Sequence, residues 1–139
     1  MGASMRVMAI DYGDVRTGVA VSDMSGSIVG DAWVITEKST EVTADTVAAE
    51  AKAREVGVII VGLPKNMNGT LGERAEKSTH FAKILESVSC IEVKFWDERL
   101  TTVSAHRILD NTGKYGKKRK KTVDAVAASL ILEGYLGSR

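Results

Sequence analysis

Met5-Arg6-Val7-Met8-Ala9-Ile10-Asp11-Tyr12-Gly13-Asp14-Val15-Arg16-Thr17-Gly18-Val19-Ala20-Val21-Ser22 breaks into two apolar runs joined by a polar turn. Residues 5–11 are apolar on both faces apart from Arg6, the pattern of a strand buried from both sides. Asp14 to Gly18 turns the chain and residues 18–22 resume as a second strand, so the pair reads as a hairpin. Asp11 closes the first strand, where strand gives way to loop. An unpaired carboxylate in that position is expensive to bury and calls for a compensating charge.

Outward from this hairpin the chain alternates strand and helix. Gly26 turns it into a third strand, Ile28 to Ile35. Thr43 to Val56 is alanine-rich, with acids early and Lys52 and Arg54 late, as a helix dipole favours, and Gly57 is the expected stop. Val58-Ile59-Ile60-Val61 reads as a central buried strand. Residues 62–72 form a polar loop, and Glu73 to Val88 a helix with Ala75, Ala82, Leu85 and Val88 inward. Residues 91–97 make a fifth strand. A third helix is expected from Thr102 to Asp110, capped by Thr101 or Thr102. A basic linker follows, then a final helix from near Lys121. The order βββαβαβαα predicts an α/β domain: a mixed five-stranded sheet of three antiparallel strands and two reached through helical crossovers, flanked by helices.

With 139 residues, 44% hydrophobic and 27% charged, the chain can bury one ordinary core. No apolar run reaches the roughly 18 residues of a membrane span, so no membrane role is expected. Residues 1–4 lack a charged head and apolar stretch and read as a short N-terminal extension or cloning scar, leaving 5–139 as a single domain. Cys90, the only cysteine, can form neither an internal disulfide nor a zinc cluster, which fits a reducing cytoplasm. Net charge is only +1, yet Lys114 to Lys121 holds six cations in eight residues and no acid. A nearly neutral chain can therefore carry one strongly positive edge.

Two further carboxylates share the position of Asp11. Glu98 follows the fifth strand in Trp96-Asp97-Glu98-Arg99-Leu100-Thr101-Thr102. Alternation places Ile91, Val93 and Phe95 on one face and Glu92, Lys94 and Trp96 on the other; extrapolated, it points Asp97 inward and Glu98 away. Either acid is a candidate on this ground alone, and either could instead pair with Arg99 or cap the next helix. Asp124 opens the apolar helical stretch Val123 to Leu136, with Ala127 and Ala128 small enough for close approach to the sheet. Favourable interaction with the helix dipole is its competing structural account. Together, Asp11, Glu98 and Asp124 form an oxygen-ligand set suited to Mg²⁺ or Mn²⁺ rather than zinc. Such a set can hydrolyse phosphodiesters without a protein nucleophile.

Lys117, Lys118, Arg119, Lys120 and Lys121, immediately before Asp124, are the candidate phosphate ligands, against the commoner role of a solvated loop. Arg16, in the turn after Asp11, is a second candidate. Lys65, Asn66 and Asn68 fit ordinary loop polarity better. His80 and His106 lie in expected helices, and Trp33 and Trp96 suit packing better than base stacking.

As an ordered set the motifs closely resemble the YqgF family, also called the RuvX or pre-16S rRNA nuclease family. They are Asp11-Tyr12-Gly13, Arg16 to Asp23, Val61-Gly62-Leu63-Pro64, Asn66-Met67-Asn68-Gly69, Trp96 to Thr102, and Lys117 to Lys121 before Asp124 and Ala127-Ala128. The resemblance covers residues 5–136 and implies a ribonuclease H-like fold related to Holliday-junction resolvases. It implies a bacterial cytoplasmic nuclease maturing the 5′ end of pre-16S rRNA. The family's acidic positions fall on Asp11, Glu98 and Asp124, which favours Glu98 over Asp97. Thr17 stands where an aliphatic is usual, and Thr70 is a second departure.

The nucleic-acid partner is thus pre-rRNA, at the ribosomal small subunit, or branched DNA; monomer and homodimer stay open. Two other classes compete. Asp-x-Gly after a first strand also opens sugar-kinase and actin-like ATPase domains, but those need two domains around the nucleotide. A non-catalytic RNA-binding assembly factor would use the acids structurally.

Overall fold

The computed structural model describes residues 6–65, 68–98 and 116–138, the side chains of residues 116–122 excepted. The expected third helix, Asn66 and His106 lie outside the described residues. The elements are β1 (Arg6–Asp11), β2 (Arg16–Ser22), β3 (Val29–Thr36), α1 (Thr40–Ala53), β4 (Val56–Leu63), α2 (Glu73–Ser89), β5 (Glu92–Asp97) and α3 (Gly116–Gly137).

The strands form one mixed sheet in the order β3-β2-β1-β4-β5. The β1–β2 and β2–β3 pairs are antiparallel; β1–β4 and β4–β5 are parallel. The α/β expectation, with two strands entering by crossover, therefore holds, and β1 lies in the centre. Its consequence is that β1, β4 and β5 end side by side, where the loops diverge and ligands bind in open α/β sheets.

Both faces of the sheet are covered, which is why β1 and β4 read as continuous apolar runs. Met8, Ile10, Val19, Val21, Ile59 and Val61 pack with Ala44, Val47 and Ala51 of α1 and Phe81, Ala82 and Leu85 of α2. The alternate residues Val7, Ala9, Ala20, Val58 and Ile60 pack with Ala128, Ile131 and Leu132 of α3. Small side chains on this second face let α3 lie close. At Gly134 an added Cβ would stand 2.6 Å from the Trp96 ring.

Several boundaries differ from expectation for identifiable reasons. α1 starts at Thr40 because the Ser39 hydroxyl accepts a hydrogen bond from the Val42 N–H at 3.2 Å. It ends at Ala53, and Glu55, not Gly57, takes the left-handed turn at φ 58°; Gly57 is already in β4. Val88 is exposed rather than inward, and Phe81 fills the core instead. The largest correction concerns the basic segment. Residues 116–121 are not a linker but the first turns of α3. Lysine and arginine are good helix formers, and no proline interrupts the run. Cations at a helix N-terminus oppose the dipole, which is why the charge pattern favoured a loop.

Candidate active site

Three elements bring Asp11, Glu98 and Asp124 to the α3 face. Asp11 continues the alternation that sends Val7 and Ala9 to that face. Glu98 follows β5 directly, two residues beyond Trp96, which packs against the same cluster. The face expected to point away is thus the face α3 covers. Asp124 sits where α3 crosses β2: a Cβ on Gly18 would collide with the Asp124 carbonyl, and Gly18 is the antiparallel partner of Asp11. Between Asp11 and Glu98 stands Gly62 of β4, whose neighbour in β5 is Trp96. A Cβ there would come 2.6 Å from Glu98 Oε2 and 2.7 Å from Ile131 Cδ1. Because Gly62 has no side chain, the Glu98 carboxyl lies over β4, close enough for its charge to act on Asp11.

The turn after Asp11 is tight. A Cβ at Gly13 would strike the Arg16 carbonyl, and the buried Thr17 hydroxyl lies 3.4 Å from both the N–H and the carbonyl of Gly13. That polar contact gives the unusual Thr17 a reason. The turn delivers Arg16, whose Nε lies 3.3 Å from Asp124 Oδ2.

All three carboxyls are shifted upward. Burial raises Asp11 well above the usual carboxylate range, the nearby Glu98 and Asp124 charges push it further, and Arg74 opposes them. Burial also raises Glu98, again against Arg74. Asp124 is raised by burial and drawn back by Arg16, then Arg74. Two buried carboxyls that act on each other raise the cost of ionising both, which is why neither charge is well tolerated here without a cation. Asp11 Oδ1 is buried and has no hydrogen-bond partner among the described residues.

Among the described residues no group of three or more His, Cys, Asp or Glu side chains is arranged to hold a metal ion. Asp124 is instead engaged by Arg16. The donor chemistry nonetheless fits a hard cation. All three carboxyls are oxygen donors, one buried Asp11 oxygen has no hydrogen-bond partner among the described residues, and burial raises the proton affinity of all three.

Residues 5–138 match the family model described as "RuvX: Holliday junction resolvase". The chain belongs to the RuvX family. RuvX relatives named "Putative pre-16S rRNA nuclease" include one from Halothermothrix orenii, 48% identical over 132 residues (95% of this chain, 94% of the relative). Another, from Clostridium novyi, is 46% identical over 134 residues (96% and 99%). Among solved structures the fold is similar to T. thermophilus RuvC in complex with Holliday junction substrate: TM-score 0.62, 11% identity, covering 96% and 97% of the two chains. The Fowlpox virus resolvase with its Holliday junction DNA is similar too, at TM-score 0.60 and 15% identity, covering 96% and 98%. These likenesses establish the resolvase-like, ribonuclease H-like fold.

Within this RuvX chain the structure gathers Asp11, Glu98, Asp124 and Arg16, while Asp97 ends β5 opposite Leu63 and acts on Glu98 through its charge. The backbone of α3 puts positions 117, 120 and 121 on the same side of the helix as 124. The side chains of Lys117, Lys118, Arg119, Lys120 and Lys121 lie outside the described residues. Two contributors escaped the sequence reading. Gly62 was read as part of the polar loop and of the Val61-Gly62-Leu63-Pro64 motif with no role in the site, and its register beside Asp11 needed the sheet order. Arg74, in the first turn of α2, had no motif to mark it; a cation where the dipole favours acids was the available signal.

Proposed function

We propose that this chain is a metal-dependent endonuclease hydrolysing phosphodiester bonds, and that it processes the 5′ end of pre-16S rRNA in the cytoplasm. One observation carries the reading: β1, the end of β5 and α3 bring Asp11, Glu98 and Asp124 near one another, with Glu98 over Gly62, the Asp124 backbone against Gly18, and a buried Asp11 oxygen that has no hydrogen-bond partner among the described residues. The names of the 48% and 46% identical relatives support rRNA as substrate. Among the described residues no helix is long and apolar enough to cross a membrane.

Asp11, Glu98 and Asp124 would hold Mg²⁺ or Mn²⁺. When bound, the cation supplies a water activated at neutral pH and charge neutralisation at the phosphate. The chain's own residues do the rest. Asp11 and Glu98, whose proton affinity burial raises, must be ionised to act as ligands, so binding weakens as pH falls. Arg16 leaves Asp124 and turns its guanidinium to a phosphate oxygen, exchanging one anionic partner for another. The cations of α3, one to two turns before Asp124, neutralise neighbouring backbone phosphates.

The test is cleavage of labelled pre-rRNA, single-stranded RNA and four-way DNA junctions with Mg²⁺, Mn²⁺ or EDTA, for the wild type and Asp124→Asn. Metal-dependent cutting of pre-rRNA, lost in Asp124→Asn with RNA binding retained, is expected. Preferential cutting of junctions would transfer the activity to branched DNA, as the family description suggests. Tight RNA binding with no cutting of any substrate would favour the assembly factor.

A further inference from the structure

Arg74 is exposed in the first turn of α2, and neither the core nor helix chemistry accounts for it. Ala75 and Ser78 bury that turn's inner side. The helix end favours the acids Glu73 and Glu76 around Arg74, not a cation. Lys77, one turn on, is committed to Asp14 at 3.2 Å and Glu73 at 3.4 Å. Arg16 is committed to Asp124. Arg74 forms no ion pair with any described residue. Its charge nevertheless acts on all three carboxyls. Arg74 lines a recess of about 60 Å³ with Tyr12, Gly13, Asp14 and Lys77, directly where the chain leaves Asp11. That space is too small for a nucleobase and large enough for phosphate oxygens or a water or two.

We infer that Arg74 is a catalytic residue whose guanidinium fork binds the non-bridging oxygens of the scissile phosphate between α2 and the three carboxylates. The inference rests on the nuclease reading of those carboxylates. Its chemistry needs no proton from Arg74, which stays charged throughout. Water adds to phosphorus as the bond to the leaving oxygen breaks; a water proton ends on the leaving oxygen, giving one phosphomonoester and one hydroxyl. Negative charge gathers on the non-bridging oxygens in the transition state, and a fixed donor pair there stabilises it more than the ground state. A lysine would present one point charge where two parallel donors are required.

The experiment is a double-mutant cycle on a short single-stranded RNA carrying one neutral methylphosphonate, moved linkage by linkage. Binding is measured in EDTA for the wild type, Arg74→Ala and Arg74→Lys; single-turnover cleavage of the unmodified RNA is measured with Mn²⁺. The methylphosphonate at the cleaved linkage should weaken wild-type binding by about tenfold and Arg74→Ala binding hardly at all, because both changes remove the same contact. Cleavage by Arg74→Ala should fall by about 10²–10³-fold, with Arg74→Lys restoring only part, at an unchanged melting temperature. Equal methylphosphonate penalties in the wild type and Arg74→Ala, or coupling only at a distant linkage, would overturn the assignment while leaving a cleaving wild type intact. A wild type that cleaves nothing with metal would instead remove the nuclease reading and this inference with it.

Discussion

At Gly62 one missing side chain connects sequence to chemistry. The parallel register of β1, β4 and β5 sets Asp11 and Glu98 on flanking strands, and only an empty position between them lets the two carboxyls meet. Gly62→Ala should therefore act on the site more than on the fold. Its Cβ would press on Glu98 Oε2 at 2.6 Å and Ile131 Cδ1 at 2.7 Å. Overpacking of that kind costs about 1–3 kcal/mol. Displacing a reacting-centre ligand by an ångström costs about 10²-fold in rate. The expected outcome is a folded variant with a modestly lowered melting temperature, followed by calorimetry, and single-turnover cleavage reduced about 10²-fold. Cleavage at the wild-type rate in a folded variant would mean that the contact between Glu98 and Asp11 is dispensable. The same register explains why alternation alone left Asp97 and Glu98 in competition. It separated the two acids by face and pointed Glu98 away, because the sequence does not say that α3 covers the far face.

Among the elements, α3 does the most for the site and was the hardest to bound. The strands were legible because doubly buried segments read as β-branched and apolar runs, and β4 stands out in Val58 to Val61. Helix ends depend on single caps, such as Ser39, or on a left-handed non-glycine like Glu55, and sequence marks these weakly. For α3, charge pattern and propensity disagreed, and propensity prevailed: the helix begins at Gly116. The basic run is therefore a rigid extension of the helix that carries Asp124. Replacing Lys117, Lys118, Lys120 and Lys121 by glutamine keeps good helix formers while removing four charges. On single-stranded RNA each lost phosphate contact should flatten the log–log salt dependence of binding by about 0.7. Four lost contacts would lower the slope by about 3, with circular dichroism unchanged. An unaltered slope in a salt titration would exclude this part of α3 from the phosphate path.

For the molecule as a whole, burial of Asp11 and Glu98 ties stability to pH, and a cation should offset it. Asp11 and Glu98, raised above their ordinary values of 3.8 and 4.5, bind protons more tightly folded than unfolded. Their stabilisation is complete below those ordinary values and is lost as pH rises through the raised folded-state values. Asp23, held down by hydrogen bonds from Ser27 and Ser25, works in the opposite sense, so the comparison must isolate one site. In EDTA, the melting temperature of the wild type should fall relative to Asp11→Asn as pH is raised from about 4. A divalent cation that binds only the folded state adds about 2.7 kcal/mol at a hundred times its Kd. Mn²⁺ or Mg²⁺ near neutral pH should therefore restore the wild type and do little for Asp11→Asn. A wild type that instead gains on Asp11→Asn as pH rises in EDTA would mean that Asp11 is ionised in the folded protein. The charge it needs would then already be supplied by Arg74 and Arg16, and the case for a resident cation would rest on cleavage alone.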